Sequence, residues 1–493
     1  MRSHSLPLLL VLAVLAGLPF IARGSQPTEA PPTEVKQPNV LLLFTDDQRT
    51  DSLSFFGNEH LSTPNIDALF GRGTVFERAY CMGSRQGAVC VPSRAMLHSG
   101  TSLERVKNDL SNAEPLGALL GAAGYQTFHT GKWHNGRGAV ERAFQTAKSV
   151  MLGGMSHHRR VPLSDWDGQA WDDRGISEEF STESFVNAAL EFIDGRDMDR
   201  PFFCSVAFTV PHDPRQTIEP FTSAQRADPP PLPANFLPQH PFNNGALVIR
   251  DEVLASWPRK PEDVREQLAD YYAMIEHLDA QLGRLFAQLE ERGELDDTLI
   301  VYASDHGLAV GSHGLLGKQS VYEHSMRALM AFSGPGIPAG SSDALVYLFD
   351  ILPTICGRCG VDAPEGIDGR DLSPQWSAED AERRDGLLLR YAQGQRAWVE
   401  ERYKLIRYPR ARYTQLFDLL EDPHEIQNLA GELEHHERVR LMAERMQAAQ
   451  ALYGDETLWT DPEVRHPFQR DLSGVVRKPD RHQPDEVIER YFE

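Results

Sequence analysis

The residues with usable chemistry stand at the ends of short β-rich runs. Val40 to Phe44 is followed by Thr45, Asp46 and Asp47, and Leu299 to Ala303 by Ser304, Asp305 and His306. Tyr125 to His129 leads to Lys132 and His134 in GKWH, and Phe202 to Phe208 leads to His212 in PHDP. In open parallel sheets ligands gather beyond the carboxyl ends of the strands, so these side chains are predicted to meet at one end of a sheet. Three carboxylates suit a hard cation such as calcium, and a single imidazole among them is less typical of zinc. Lys318, in the glycine-rich GLLGKQS run twelve residues beyond His306, can bring its ammonium back over the same place.

Cys90 opens the string CVPSR. Pro92 marks a helix start and SRAML continues it, which puts position 90 at a helix N-terminus, where free amides and the dipole favour an anion. Arg94 lies one turn along, able to hold oxygens at the same end. The string resembles the signature of the formylglycine sulfatases, whose cysteine is oxidised to an aldehyde. That changes the chemistry expected of Cys90. A thiolate attacking a sulfate ester would leave a thiosulfate with no obvious exit. A hydrated aldehyde offers one hydroxyl as nucleophile and a second that expels sulfate by collapsing to the carbonyl.

Further strings extend the resemblance: TDDQR (Thr45 to Arg49), CVPSRAMLHSG (Cys90 to Gly100), GKWH, SDHG (Ser304 to Gly307), GLLGKQS, YKLIRY and LFDLLEDPHEIQNLA. Ordered as they are from Asn39 to about Gly431, they are similar to the type I sulfatases of the alkaline phosphatase superfamily. The resemblance implies calcium at Asp46, Asp47, Asp305 and His306, with the formylglycine from Cys90 as a further oxygen ligand. It implies support from Arg94 and sulfate contacts from Lys132, His134, His212 and Lys318. A sulfate monoester carries one net charge, so a metal and two ammonium groups suffice to neutralise it. Asp305 is implied as acceptor of the nucleophile's proton, His212 or Lys318 as donor to the leaving alcohol, and His134 as the group that helps expel sulfate. Many family members have Asn at the position of His306, and SDHG resembles the branch that includes iduronate sulfatases. The implied activity is a sulfuric ester hydrolase acting on a sulfated carbohydrate. The alternatives are a phosphonate monoester or phosphodiester hydrolase of the same superfamily, or a sulfated-glycan-binding protein in which Cys90 is never oxidised.

Residues 1–24, with Arg2, an apolar stretch from Leu6 to Ala22 and a small-residue exit, have the layout of a secretory signal peptide. The stretch is short for a membrane span and carries Pro7 and Pro19, so no stable membrane insertion is expected. Residues 25–38 read as a linker. The chain's net charge of −22 becomes −24 once Arg2 and Arg23 leave with that segment, which makes nucleic acid an improbable partner. An anionic substrate must rely on local cations, since distant charges are screened. Five cysteines and the absence of an Asn-x-Ser/Thr sequon fit a bacterial periplasmic or secreted product better than a glycosylated one. Its maturation would need a formylglycine-generating enzyme. Cys356 and Cys359 form a CxxC that reads as a local disulfide or two buried thiols.

These residues must be positioned by a fold. Short β-rich runs alternating with helical patterns predict an α/β protein: a large, mostly parallel sheet flanked by helices, with a smaller C-terminal α+β subdomain. Tyr271, Ile275, Leu278, Leu282, Leu285 and Leu289 mark an amphipathic helix. The proline-rich stretch 214–262 reads as a long surface excursion shaping a cleft. The expected divisions are a catalytic domain over 39–340, a C-terminal subdomain over 341–460 with a hairpin (396–408) and a helix (416–431), and a polar tail over 461–493.

Overall fold

Within the run Asn39–Thr45 (β1), Val40, Leu42 and Phe44 join one buried apolar cluster, while Leu41 and Leu43 join another. That period of two, apolar on both faces, makes a strand covered on both sides. The computed structural model describes residues 37–376, 382–457, 470–479 and 481–492. The expected signal peptide, most of the expected linker and residues 461–469 of the expected polar tail lie outside the described residues. Three further strands are buried on both faces as β1 is: β2 (Gln126–Lys132), β3 (Phe202–Ala207) and β4 (Thr298–Ser304). They pair in parallel in the order β4, β1, β3, β2, with Thr45 opposite Ser304, which aligns their carboxyl ends.

Thr146–Met151 extends the sheet in parallel beyond β2, and the antiparallel strands Pro162–Trp166 and Trp171–Ile176 finish that edge. Met330–Ser333, Thr74–Phe76 and Gly340–Ser342 complete the other edge of the ten-stranded sheet. The helix Cys90–Ser99 (α1) belongs to the first apolar cluster. The helix Pro261–Glu291 (α2) supplies Tyr271, Ile275, Leu278, Leu282, Leu285 and Leu289 to the second, all fully buried. Each such side chain contributes about 1.5–3 kcal/mol before ordering entropy is subtracted. The helix begins earlier than its apolar stripe because Pro261 suits the first helical position and Glu262 and Asp263 favour the first turn. The protein is therefore α/β, with helices on both faces of a large, mostly parallel sheet.

A second, five-stranded sheet contains Leu387–Tyr391, Gln395–Val399, Tyr403–Tyr408 and Tyr413–Asp418 in antiparallel succession. Its remaining strand, Gly83–Ser84, pairs in parallel with Arg390 and Tyr391 just ahead of α1. Gly83 has φ +112°, and a Cβ there would collide with the Arg390 carbonyl, so glycine alone permits this junction. The expected hairpin over 396–408 is present. The expected helix over 416–431 is not: Leu416 to Asp418 pair with Tyr403 to Leu405, and the chain then turns. Pro423 lacks the N–H a helix would use, and Asp422 turns its carboxylate onto the Gln427 amide at 2.7 Å. The helix falls later, at His436–Tyr453.

The 214–262 excursion is more deeply seated than its composition suggests. Arg215, Gln216, His240, Glu252 and Arg259 are buried. Glu252 accepts from the amides of Leu316 and Gly317, at 3.0 and 2.9 Å, and anchors the stretch to the segment carrying Lys318. Among the described residues no helix is long and apolar enough to cross a membrane.

Candidate active site

At the carboxyl ends of β1 and β4 the backbone knits two acidic turns together. The Asp305 amide donates to the Thr45 carbonyl at 3.0 Å, and the Asp47 amide donates to Asp305 Oδ1 at 3.0 Å. Asp47 sits in the left-handed region at φ 65°, which costs a non-glycine residue energy and is typical of functional turns. Asp46, Asp47, Asp305 and His306 each present one ligand atom, all within 4.8 Å of one another. Asp46 Oδ1, Asp305 Oδ2 and His306 Nε2 are buried without a hydrogen-bond partner. Leaving such groups unsatisfied costs about 1–3 kcal/mol each. Three carboxylates and one imidazole converging in this state fit a hard cation.

Cations of the protein itself surround the cluster. Lys132 ion-pairs with Asp46, and Lys318 Nζ lies 2.8 and 3.0 Å from the two oxygens of Asp47. Arg94 Nη2 stands 3.6 Å from Asp305 Oδ2 and 4.0 Å from Asp46 Oδ2, while Nη1 donates to the Lys132 carbonyl at 2.8 Å. Burial raises the Asp46 carboxyl, but Lys132, His212 and Arg94 outweigh it and hold the group well below its ordinary range. Asp305 goes the other way, pushed up to about 8 by burial and by the charge of Asp46. Burial works against the His306 imidazolium, yet Asp305 raises it to about 9.

Lys132 reaches this place because β2 is irregular. Its register shifts between His129 and Gly131, where φ is +97°, so the strand's last residue turns into the cluster.

Cys90 is the first residue of α1 and is only 2% exposed. Its Sγ lies 3.3 Å from His134 Nδ1. Burial alone would raise the thiol, but the charge of Lys132 and the contact with His134 hold it well below the usual thiol range. Ser93 Oγ donates to the Asp305 carbonyl at 2.8 Å and ties the helix start to the end of β4. His212 points Nε2 toward Asp47 Oδ2 at 3.7 Å, and its Nδ1 donates to the Asp213 carbonyl at 2.7 Å. The structure thus brings together Asp46, Asp47, Cys90, Arg94, Lys132, His134, His212, Asp305, His306 and Lys318. Sequence reasoning passed over Ser93, although it lies inside CVPSR, and Asp213, although it adjoins His212. The remaining cysteines are free, buried thiols. Cys356 and Cys359 are therefore two thiols and not a disulfide, raised by burial to about 12 and about 11.

Fold and site together define an α/β protein that gathers carboxylates, imidazoles and ammonium groups around Cys90 at one end of its sheet. The family model described as Sulfatase matches residues 38–361, and the chain belongs to the sulfatase family; it is an enzyme, a sulfuric ester hydrolase. A second model, "N-sulphoglucosamine sulphohydrolase, C-terminal", matches residues 311–451. The chain is 25% identical to an N-acetylglucosamine-6-O-sulfatase of Bacteroides thetaiotaomicron, over 92% of each chain. It is 28% identical to an ulvan-active sulfatase of Formosa agariphila, covering 86% of this chain and 83% of that one. A structure solved with its substrate D-glucosamine-2-N,6-O-disulfate superposes with a TM-score of 0.73 at 23% identity, over 85% of this chain and 99% of the other. The phosphonate monoester hydrolase of Agrobacterium radiobacter shares the fold at a TM-score of 0.68 and 22% identity, over 88% of this chain and 100% of that one.

Proposed function

We propose that this enzyme removes sulfate from a sulfated carbohydrate, with Cys90 matured to formylglycine and calcium held by Asp46, Asp47, Asp305 and His306. The observation that carries the reading is the set of unsatisfied buried ligand atoms packed beside Cys90 at the start of α1. Matured to formylglycine and hydrated, residue 90 would supply one hydroxyl as the nucleophile for sulfur and a second whose collapse to the carbonyl would release sulfate. Calcium supplies positive charge for the sulfate oxygens and for the nucleophile. Lys132 and Lys318 bind sulfate oxygens through their ammonium groups, and Arg94 steadies the anion at the helix N-terminus. Asp305 accepts the proton of the attacking hydroxyl. His212 Nε2 gives a proton to the departing oxygen as the sulfur–oxygen bond breaks, with the bonding electron pair staying on that oxygen. His134, beside position 90, manages the proton there during sulfate release.

The carbohydrate assignment rests on two supports. The curated relatives include sulfatases named for N-acetylglucosamine and ulvan. A cleft lined by Asn243, Asn244, Tyr391, Gln393, Tyr408 and Arg410 is tied to the Lys318 segment, because Gln395 Nε2 donates to the carbonyls of both Asn244 and Gln319, at 3.4 and 3.1 Å. Rings, amides and one guanidinium suit a sugar with an acidic substituent. The apolar N-terminal stretch and the bacterial relatives support export to the periplasm or medium, with a formylglycine-generating enzyme acting during maturation.

The test is the mass of the proteolytic peptide spanning Cys90, from protein made with and without a formylglycine-generating enzyme, alongside sulfate release. The aldehyde mass together with sulfate release in that preparation alone supports the mechanism. A persistent thiol in protein from the native host overturns it and leaves glycan binding as the reading. Turnover faster on a phosphodiester than on a sulfate ester would instead favour the phosphonate and phosphodiester hydrolases.

A further inference from the structure

The segment nearest the C-terminus returns to the site. Along 470–479 and 481–492 the chain is fastened to the 214–262 excursion and to α2 at several places. The Lys478 amide donates to the Val253 carbonyl at 3.1 Å, and Gln239 Nε2 donates to the Arg470 carbonyl at 2.9 Å. Arg490 Nη1 lies 2.5 Å from Asp270 Oδ2, and Phe492 packs on Leu254, Ala255 and Leu316. Between these anchors Gln216 Nε2 donates to Glu486 Oε1 at 3.1 Å, and Gln483 Nε2 donates to Asp213 Oδ2 at 2.9 Å.

Asp213 connects that strap to the chemistry. Its carbonyl accepts from His212 Nδ1 at 2.7 Å, its Oδ1 lies 3.3 Å from the same nitrogen, and Arg250 grips both carboxylate oxygens. The His212 carbonyl accepts in turn from His158 Nε2 at 3.0 Å, so backbone and ring are both held. An imidazole whose Nδ1–H faces only acceptors presents Nε2 to the site, and the partner of one ring nitrogen sets what the other can do. Asp213 must therefore be kept from rotating. Arg250 and Gln483 perform that task from opposite parts of the chain.

We propose that Gln483 is a positioning residue for the enzyme's reaction: the C-terminal segment locks the Asp213 carboxylate, and through it fixes His212 toward the leaving-group oxygen. This inference rests on the reading of His212 as donor to the departing alcohol. It assigns a catalytic consequence to a segment that lies outside both matched family regions, which end at residues 361 and 451.

The test uses full-length, formylglycine-loaded Gln483→Leu, which keeps the bulk of the side chain and removes the donor. Two substrates are compared: 4-nitrophenyl sulfate, whose leaving group departs without a proton, and a sulfated sugar, whose alkoxide needs one. The expected result is a fall in kcat of on the order of 10-fold for the sugar, as for other residues that orient a catalytic group, with kcat for the aryl ester and KM for both little changed. Partial unfolding lowers both rates by the same factor and leaves their ratio untouched. Gln483→Glu, which sets a second carboxylate against Asp213, should move the ratio at least as far. An unchanged ratio in both variants overturns the inference. Absence of turnover on either substrate by the loaded wild type overturns the sulfatase mechanism instead, so the two failures are distinguishable.

Discussion

Asp350 and Asp46 are almost equally buried, at 0% and 1% exposure, but their surroundings differ in kind. Asp350 precedes the helix Ile351–Cys359 and accepts from the amides of Tyr347 and Arg370, each at 2.8 Å. It also takes both Nη atoms of Arg384, each at 2.7 Å, so its two oxygens are fully engaged. Asp46 has one oxygen on Lys132 and the other without a partner, beside Asp305 and His306 in the same state. One carboxylate is satisfied by its own chain. The other belongs to a group whose ligand atoms converge on a common point. Burial of charge alone therefore does not identify a site; burial with converging, unsatisfied ligand atoms does.

That contrast sets the expected effects of substitution. The largest is chemical: Cys90→Ala should lower sulfate release by on the order of 10⁴-fold or more, with a thermal midpoint matching wild type. A parallel fall in the midpoint would mean position 90 is structural. Next, Asp350→Ala leaves Arg384 buried and unpaired and should cost about 3–5 kcal/mol in urea unfolding. Asp305→Asn should abolish turnover yet leave metal-free protein as stable as wild type or slightly more so, because it removes a carboxylate that burial and Asp46 already raise to about 8. Equal destabilisation by the two changes would erase the distinction. A smaller effect concerns the ion: calcium at about 100 times its Kd should add about 2.7 kcal/mol to wild-type stability. Melting curves with and without chelator should show the gain in wild type and lose it in Asp305→Asn. Smallest, Tyr391→Ala should raise KM for a sulfated sugar a few-fold, in line with about 0.5–1.5 kcal/mol for an aromatic contact. The aryl sulfate KM should stay put, and a matching rise there would place Tyr391 in the sulfate pocket itself.

The central strands were legible because three of them are short apolar runs buried on both faces and the fourth, β2, overlaps a β-rich run, and the residues after them inherited their place from strand polarity. CVPSR, TDDQR and SDHG could be read because they are contiguous. The edge strands Pro162–Trp166 and Trp171–Ile176 were not, since their half-exposed, mixed composition has no firm period. The missing helix over 416–431 shows tertiary pairing overriding a locally ambiguous run. The seating of Glu252 and the reach of Gln483 to Asp213 had no signal in pattern, because each depends on partners far along the chain. The excursion's prolines suggested exposure, whereas side chains such as Arg259 are drawn inward by backbone carbonyls at Glu252 and Ala255, at 2.9 and 2.8 Å.

The irregularity in β2 bears on how this enzyme could change over time. Any side chain at Gly131 would strike the Ala207 carbonyl of the neighbouring strand, and the positive φ there already disfavours other residues. Change is thus constrained along the strand that delivers Lys132, so a lineage exploring new sugars has more freedom in loops such as those around Asn243 and Gln393, which line the proposed sugar cleft.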